Sequence, residues 1–155
     1  GDSAELLRFF LAEGVRGAAL AAITDPATVI RASQAGVGAE IDVHLGGKTD
    51  AHHGPPLPFQ GRVRLLSDGC YVNDGPMMAG LRVDLGPTVV LETLDGGVAA
   101  IVTSRAETPI DLNVFRRHGI EPTALRVIGL KGKGHFRAAF EPIAERVLLV
   151  EGPGF

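Results

Sequence analysis

Seven consecutive residues, Gly17 to Ile23, carry no polar side chain: Gly-Ala-Ala-Leu-Ala-Ala-Ile. So short and uniformly apolar a run predicts a strand buried on both faces. Such a strand needs structure packed above and below it, and the neighbouring sequence offers both. Asp25-Pro26 predicts a helix start, with the carboxylate as N-cap and proline at the first helical position. The helix carries Val29, Ile30 and Ala32 and stops at Gly36. Ala39 to Leu45 then alternates, with Ala39, Ile41, Val43 and Leu45 inward and Glu40, Asp42 and His44 outward, which completes a strand, helix, strand unit. Ahead of it, Ser3 or Asp2 is the expected cap of a helix running to about Glu13, with Leu6, Phe9, Phe10 and Leu11 as its apolar face and Gly14 as its end.

The middle of the chain changes character. Gly46-Gly47 breaks the strand, and Lys48 to Pro58 reads as a loop rich in proline, glycine and polar residues. Gly61 to Leu66 alternates, Ser67-Asp68-Gly69 turns, and Cys70 to Val72 is expected to pair back as a hairpin. Asn73-Asp74-Gly75-Pro76 is a second turn, with a strand expected from Met78 to Leu85. Thr88 to Thr93 and Val98 to Thr103 flank Asp95-Gly96-Gly97, the clearest hairpin signal present. After Ser104 the helical signals return. Asp111 caps a short helix from Leu112 to His118 that stops at Gly119, and Glu121 to Ala124 is a further helical turn. Leu125 to Leu130 reads as a buried strand, and Arg146 to Val150 as one more apolar strand. The fold class is therefore α/β: a mixed sheet in which two strand-helix-strand units flank a central antiparallel region, within a single domain spanning residues 1–155.

Between those last two strands lies a turn dense in glycine and positive charge, Lys131-Gly132-Lys133-Gly134. His135 to Phe140 restarts with helical spacing, so that Phe136, Ala139 and Phe140 share one face. His135 and Arg137 then sit at a helix start beyond a strand end, where open α/β sheets place ligand crevices and free N–H groups favour anions. The competing reading is a basic loop over a satisfied core. If the corner binds, Lys131, Lys133, His135 and Arg137 form a cationic pocket suited to a carboxylate or phosphate.

Charge and cysteine content narrow the partners. A net charge of −3 with no block of one sign argues against nucleic acid or anionic membrane as the main partner. The single cysteine, Cys70, cannot form an internal disulfide and fits a reducing, cytoplasmic setting, or is merely a small buried hydrophobe. No run approaches the ~20 apolar residues of a membrane span. Twenty-one glycines and ten prolines, without tryptophan, predict many turns around a core of Val, Leu, Ile and Ala.

Metal ligation and nucleophilic chemistry find little local support. Asp50, His52 and His53 lie close together, but adjacent histidines in a loop point differently, and metal ligands favour rigid elements. A solvated loop is the better reading. His44 ends a strand on its polar face, and His118 sits in the last turn of a helix, where a cation is welcome; both read as structural. There is no His-Glu-x-x-His, no cysteine pair and no Gly-x-Ser-x-Gly elbow, and the Lys131 turn lacks the Gly-Lys-Ser/Thr ending of a Walker loop.

Several stretches, taken in order, do match one pattern. They are Gly1-Asp2-Ser3, Gly36-Val37-Gly38-Ala39, Leu45-Gly46-Gly47-Lys48-Thr49-Asp50, Asn73-Asp74-Gly75-Pro76-Met77, Thr103-Ser104-Arg105 and Asp111 to Gly119. After them come His135 to Phe140, Pro142-Ile143-Ala144 and Glu151-Gly152-Pro153-Gly154. Together these resemble the C-terminal domain of the MlrC, or microcystin-degradation, family of bacterial zinc metallopeptidases. The resemblance implies a zinc-dependent peptide or amide hydrolase whose metal ligands lie in a larger N-terminal domain outside this chain, with no metal ligand in this fragment. It implies that this domain forms one wall of the active-site cleft and that alone it is inactive. His135 and Arg137 become the expected substrate or transition-state contacts, with Lys131, Lys133 and Lys48 as weaker substrate-binding candidates. Where the family has Lys-Ser, this chain has Lys131-Gly132, so any contact from that hydroxyl is lost. Expected partners are the N-terminal metal-binding domain, a peptide or small amide substrate and a second copy in a homodimer. The alternatives are a non-catalytic module for an anion or small molecule, and a structural or dimerisation domain.

Overall fold

The computed structural model describes residues 2–132 and 134–152, with the backbone alone at residue 51. In chain order the elements are α1 (Glu5–Ala12), β1 (Ala18–Thr24), α2 (Pro26–Ala35), β2 (Glu40–Leu45), β3 (Leu57–Ser67), β4 (Cys70–Val72), β5 (Arg82–Asp84), β6 (Thr88–Thr93), β7 (Val98–Thr103), α3 (Asn113–Arg116), β8 (Val127–Leu130) and α4 (Arg137–Phe140). Short 3₁₀ turns sit at Ala51–His53, Pro122–Ala124 and Glu141–Ile143. Six strands form one open mixed sheet in the order β2-β3-β6-β7-β1-β8, and β4 pairs with β5 separately.

The doubly buried strand organises this sheet. β1 lies between β7 and β8 and runs parallel to both, while β2, β3, β6 and β7 pair antiparallel in succession. Its side chains divide between two cores. Ala18, Leu20 and Ile23 join Leu7 and Phe10 of α1 and Val29 and Ala32 of α2 on one face. Ala19 and Ala21 join Tyr71, Val83, Phe115, Phe136 and Phe140 on the other. Leu20 and Ile23, three apart, share a face because the register against β7 slips between them. The expected inward set of β2 is buried at Ile41, Val43 and Leu45, and Glu40, Asp42 and His44 are exposed. Asp25 caps α2 by accepting the Thr28 N–H at 3.1 Å, and Pro26 holds the first helical position.

Five local expectations are corrected. In α1 the buried pair is Leu7 and Phe10, with Leu6 and Leu11 partly covered, whereas Phe9 turns outward at 58% exposure. The N-cap position is Ala4 and neither expected residue: Ser3 Oγ accepts only a long hydrogen bond, 3.5 Å, from the Glu5 N–H, and Asp2 is used elsewhere. β3 starts at Leu57, inside the expected loop; Pro58 is tolerated because β3 pairs only with β2 until Gly61. β4 does not fold back on β3. The chain turns at Gly69 and pairs with β5 instead, because that carries Tyr71 and Val83 onto the second face of the sheet. The strand expected from Met78 shrinks to β5, since Gly80 N–H donates to Asn73 O and Leu81 N–H to Met78 O, closing a turn there.

The two strand-helix-strand units also differ in detail from a simple pair of crossovers. α2 carries the chain from β1 to β2 at the far edge, past β7, β6 and β3. The parallel crossover is the one from β7 through α3 to β8, with β1 between the two strands. Residues 146–150 form no strand.

Candidate functional site

The loop after β2 is held by two buried carboxylates. Asp25 accepts hydrogen bonds from Thr28 Oγ1 at 2.7 Å, from the Gly46 N–H at 3.0 Å and from Lys48 Nζ at 2.7 and 3.0 Å. Lys48 Nζ also donates to Thr28 Oγ1 at 3.2 Å. Burial pushes the Asp25 carboxyl up, but Lys48, the Gly46 amide and Thr28 outweigh it and hold the pKa below the ordinary aspartate value. Asp2 plays the matching part from the start of the chain. Its Oδ2 accepts the N–H groups of Lys48 at 2.8 Å and Thr49 at 2.7 Å, and Gly47 N–H donates to its carbonyl at 2.8 Å. Desolvation opposes ionisation of Asp2, and the Thr49 and Lys48 bonds win, so its pKa is also lowered.

Glycine is required at the centre of this corner. Gly46 has φ +64°, and a Cβ there would collide with the Asp2 carbonyl oxygen. The Gly-Gly-Lys-Thr stretch is thus a loop wrapped closely around Asp2, with its lysine turned back to Asp25. Lys131, just past the end of β8, is half-buried; burial lowers its pKa and the charge of Asp2 opposes the shift.

Of the sequence-derived candidates, Lys48 is bound to Asp2 through its backbone N–H and to Asp25 through its side chain, while Lys131 is half-buried past the end of β8. Lys133 lies outside the described residues. His135 and Arg137 occupy the next turn and the start of α4, both exposed, while Phe136 and Phe140 beneath them are buried. Arg137 pairs with Glu141 at 3.1 Å and sits over the Phe136 ring at 5.7 Å. Phe140 makes an edge-on contact with Phe115, which anchors α4 to the second core.

The loop histidines are tied down more than a solvated loop requires. Asp50 accepts the His52 N–H at 2.8 Å and binds His53 Nδ1 at 2.8 Å; His53 Nδ1 also lies 3.5 Å from Asp2. The His53 hydrogen bond, followed by that of His52, holds the Asp50 carboxyl below its usual pKa. Among the described residues no group of three His, Cys, Asp or Glu side chains is arranged to hold a metal ion. His118 is a core group, buried to 1% and bonded through Nδ1 to the Val114 carbonyl at 2.7 Å. Burial lowers its pKa, so it is a neutral ring and not the helix-end cation that its position suggests.

Sequence reasoning missed Asp2, Asp25 and Thr28 as parts of this corner, and read the first two only as helix caps. Asp111 it read only as a cap, a part borne by its Oδ1, which accepts the Asn113 N–H at 2.8 Å; it missed that this fully buried residue also joins two of the family-like stretches, its Oδ2 accepting the N–H groups of Asp74 at 3.1 Å and Gly75 at 2.7 Å.

The profile of the MlrC C-terminus matches residues 1–155. The chain belongs to the MlrC C-terminal family. It is 28% identical over 150 residues to microcystinase C of a Sphingomonas species, covering 97% of this chain and 28% of that protein. It also resembles the crystal structure of a protein from Mesorhizobium sp. BNC1 proposed to be a metallopeptidase, with a TM-score of 0.83 and 30% identity over 94% of this chain and 29% of the other. The MlrC C-terminal chain thus spans under a third of the length of either relative.

Proposed function

We propose that this MlrC C-terminal domain forms one wall of the active-site cleft of a zinc-dependent peptide or amide hydrolase and helps bind its substrate. The observation that carries the reading is the corner at Asp2. In a longer protein the preceding chain would enter at this corner, where Lys48 is held inward by Asp25 and the half-buried Lys131 feels the charge of Asp2. The names of the two relatives support the hydrolase class. The donor set here does not fit a catalytic zinc site: no cluster of three His, Cys, Asp or Glu side chains is formed among the described residues. Any zinc would be held by the preceding part of the protein. The role of this domain is then electrostatic, with Lys131, His135 and Arg137 offering charge to a substrate carboxylate or a developing oxyanion. The single cysteine suits a reducing, cytoplasmic location.

The full-length protein, assayed on peptide amides with its zinc content measured, tests this. Lys131→Met and Arg137→Ala are expected to lower kcat/KM about ten- to hundredfold each, the effect of a lost charge-assisted hydrogen bond, while zinc stoichiometry stays as in the parent. Unchanged kcat/KM in both variants removes the domain from the cleft. Tight binding of small carboxylates without turnover would instead mark an anion-binding module.

A further inference from the structure

The sequence of residues 146–150, Arg-Val-Leu-Leu-Val, is that of a buried strand, yet the structure leaves most of it uncovered. Val147 packs against the second core. Leu148, Leu149 and Val150 are 67%, 73% and 60% exposed. In an extended chain, Leu148 and Val150 would point to one face and Leu149 to the other. Both faces are apolar, which suits a strand inside a covered sheet and is costly in water. The segment makes no backbone hydrogen bond to another described residue, so its N–H and C=O groups are open to pairing.

We infer that residues 146–150 add as a strand to a sheet in the portion of the longer protein that precedes this chain, locking the two portions together. The match to microcystinase C covers only 28% of that relative, so a full-length protein has ample chain to supply the sheet. A partner on the same polypeptide is present at about millimolar effective concentration or above, which favours it over a second copy. Strand addition also satisfies both needs of the segment: ladder bonds for its backbone, and cover for two apolar faces. The inference rests on this chain being the C-terminal domain of a longer protein, and is independent of what that protein hydrolyses.

Hydrogen exchange on the full-length protein decides it. The amides of residues 147–150 are expected to exchange at least a hundredfold more slowly than in an unstructured peptide, equally so across a tenfold dilution. Leu149→Asp should abolish that protection and leave the β1 and β7 amides slow. Should this variant fail to fold, Leu149→Thr, which keeps strand propensity, should reduce protection in the same residues. Exchange at the unstructured rate in the parent protein overturns the inference, and protection that weakens on dilution assigns the strand to a second copy and overturns it too. Slow exchange in a protein without amidase activity would count against the proposed hydrolase role alone.

Discussion

The Gly46-Gly47-Lys48 loop and the Lys131 to His135 turn look alike in the sequence, each a glycine pair or repeat carrying lysine at the end of a strand. Their structures differ in what the charges meet. Lys48 is drawn inward to Asp25, a side chain 1% exposed, and its backbone is held by Asp2. Arg137 stays on the surface, paired with an equally accessible Glu141, and its segment is held by the phenylalanines on either side. One corner is fixed by buried charge, the other by buried aromatic surface. A basic stretch next to a strand end is therefore fastened either by buried carboxylates that lie elsewhere in the chain or by aromatic side chains beside it.

The largest effect should come from breaking the clamp. Asp25→Ala removes the helix cap, strands the Gly46 amide and leaves Lys48 without its counter-ion. Losing one member of a buried pair costs about 3–5 kcal/mol. Lys48 is 37% exposed and can turn to water, which places the expectation near the lower end. Denaturant midpoints at constant m-value measure it. A change below about 1 kcal/mol would show that the corner is no clamp.

Phe136→Ala attacks the other corner. Truncating a buried phenylalanine costs about 3–5 kcal/mol, and this ring, 8% exposed at the protein surface, should fall at about 3. The same midpoints apply, and the contrast sharpens if Phe136→Ala leaves acid sensitivity unchanged.

Acid sensitivity should belong to the clamp. A carboxyl whose folded pKa lies below its unfolded value adds stability that is complete above the unfolded pKa, about 4, and is lost as the pH falls through the folded value. Asp2 and Asp25 both have that sign. His118 acts in the same direction at higher pH: its ring resists the proton that the unfolded chain accepts below about 6.5, so stability falls as the pH drops from there. Unfolding measured from pH 7 to pH 3 should show both limbs. Asp25→Asn should flatten the lower one, and an unchanged profile would reassign it.

Much of the framework is legible because its causes are local. The absence of polar side chains in β1, the alternation of β2, the Asp25-Pro26 cap and the Asp95-Gly96-Gly97 hairpin each depend on residues a few positions apart. The corner is not local: Lys48 finds Asp25 23 positions away and Asp2 46 away, and no spacing announces either. Cys70 to Val72 shows a second limit, since the strand is evident in sequence while its partner is chosen by where Tyr71 can bury. Of the expected site residues, His135 and Arg137 are exposed as a helix-face argument predicts, because Phe136 and Phe140 fix the face; their role with a substrate is not written in that pattern.

The smallest structural effect is expected at Arg137, and that is what makes it informative. Its ion pair with Glu141 is an exposed i, i+4 contact worth about 0.3–0.5 kcal/mol. Its position over Phe136 adds about 0.5 kcal/mol at an accessible site. Arg137→Ala should therefore lower stability by no more than about 1 kcal/mol, a fraction of the Asp25→Ala effect. A guanidinium that meets substrate charge in the assembled protein would nonetheless contribute about 1.5–3 kcal/mol to binding or turnover. Denaturant midpoint and kcat/KM must then separate for Arg137 and move together for Asp25, whose loss acts through folding. Arg137→Lys sharpens the test: it keeps the charge but not the two-pronged geometry, so partial recovery indicates charge alone and none indicates a bidentate contact. If Arg137→Ala instead destabilises as strongly as Phe136→Ala, the cation belongs to the aromatic anchor, and the distinction between the two corners fails.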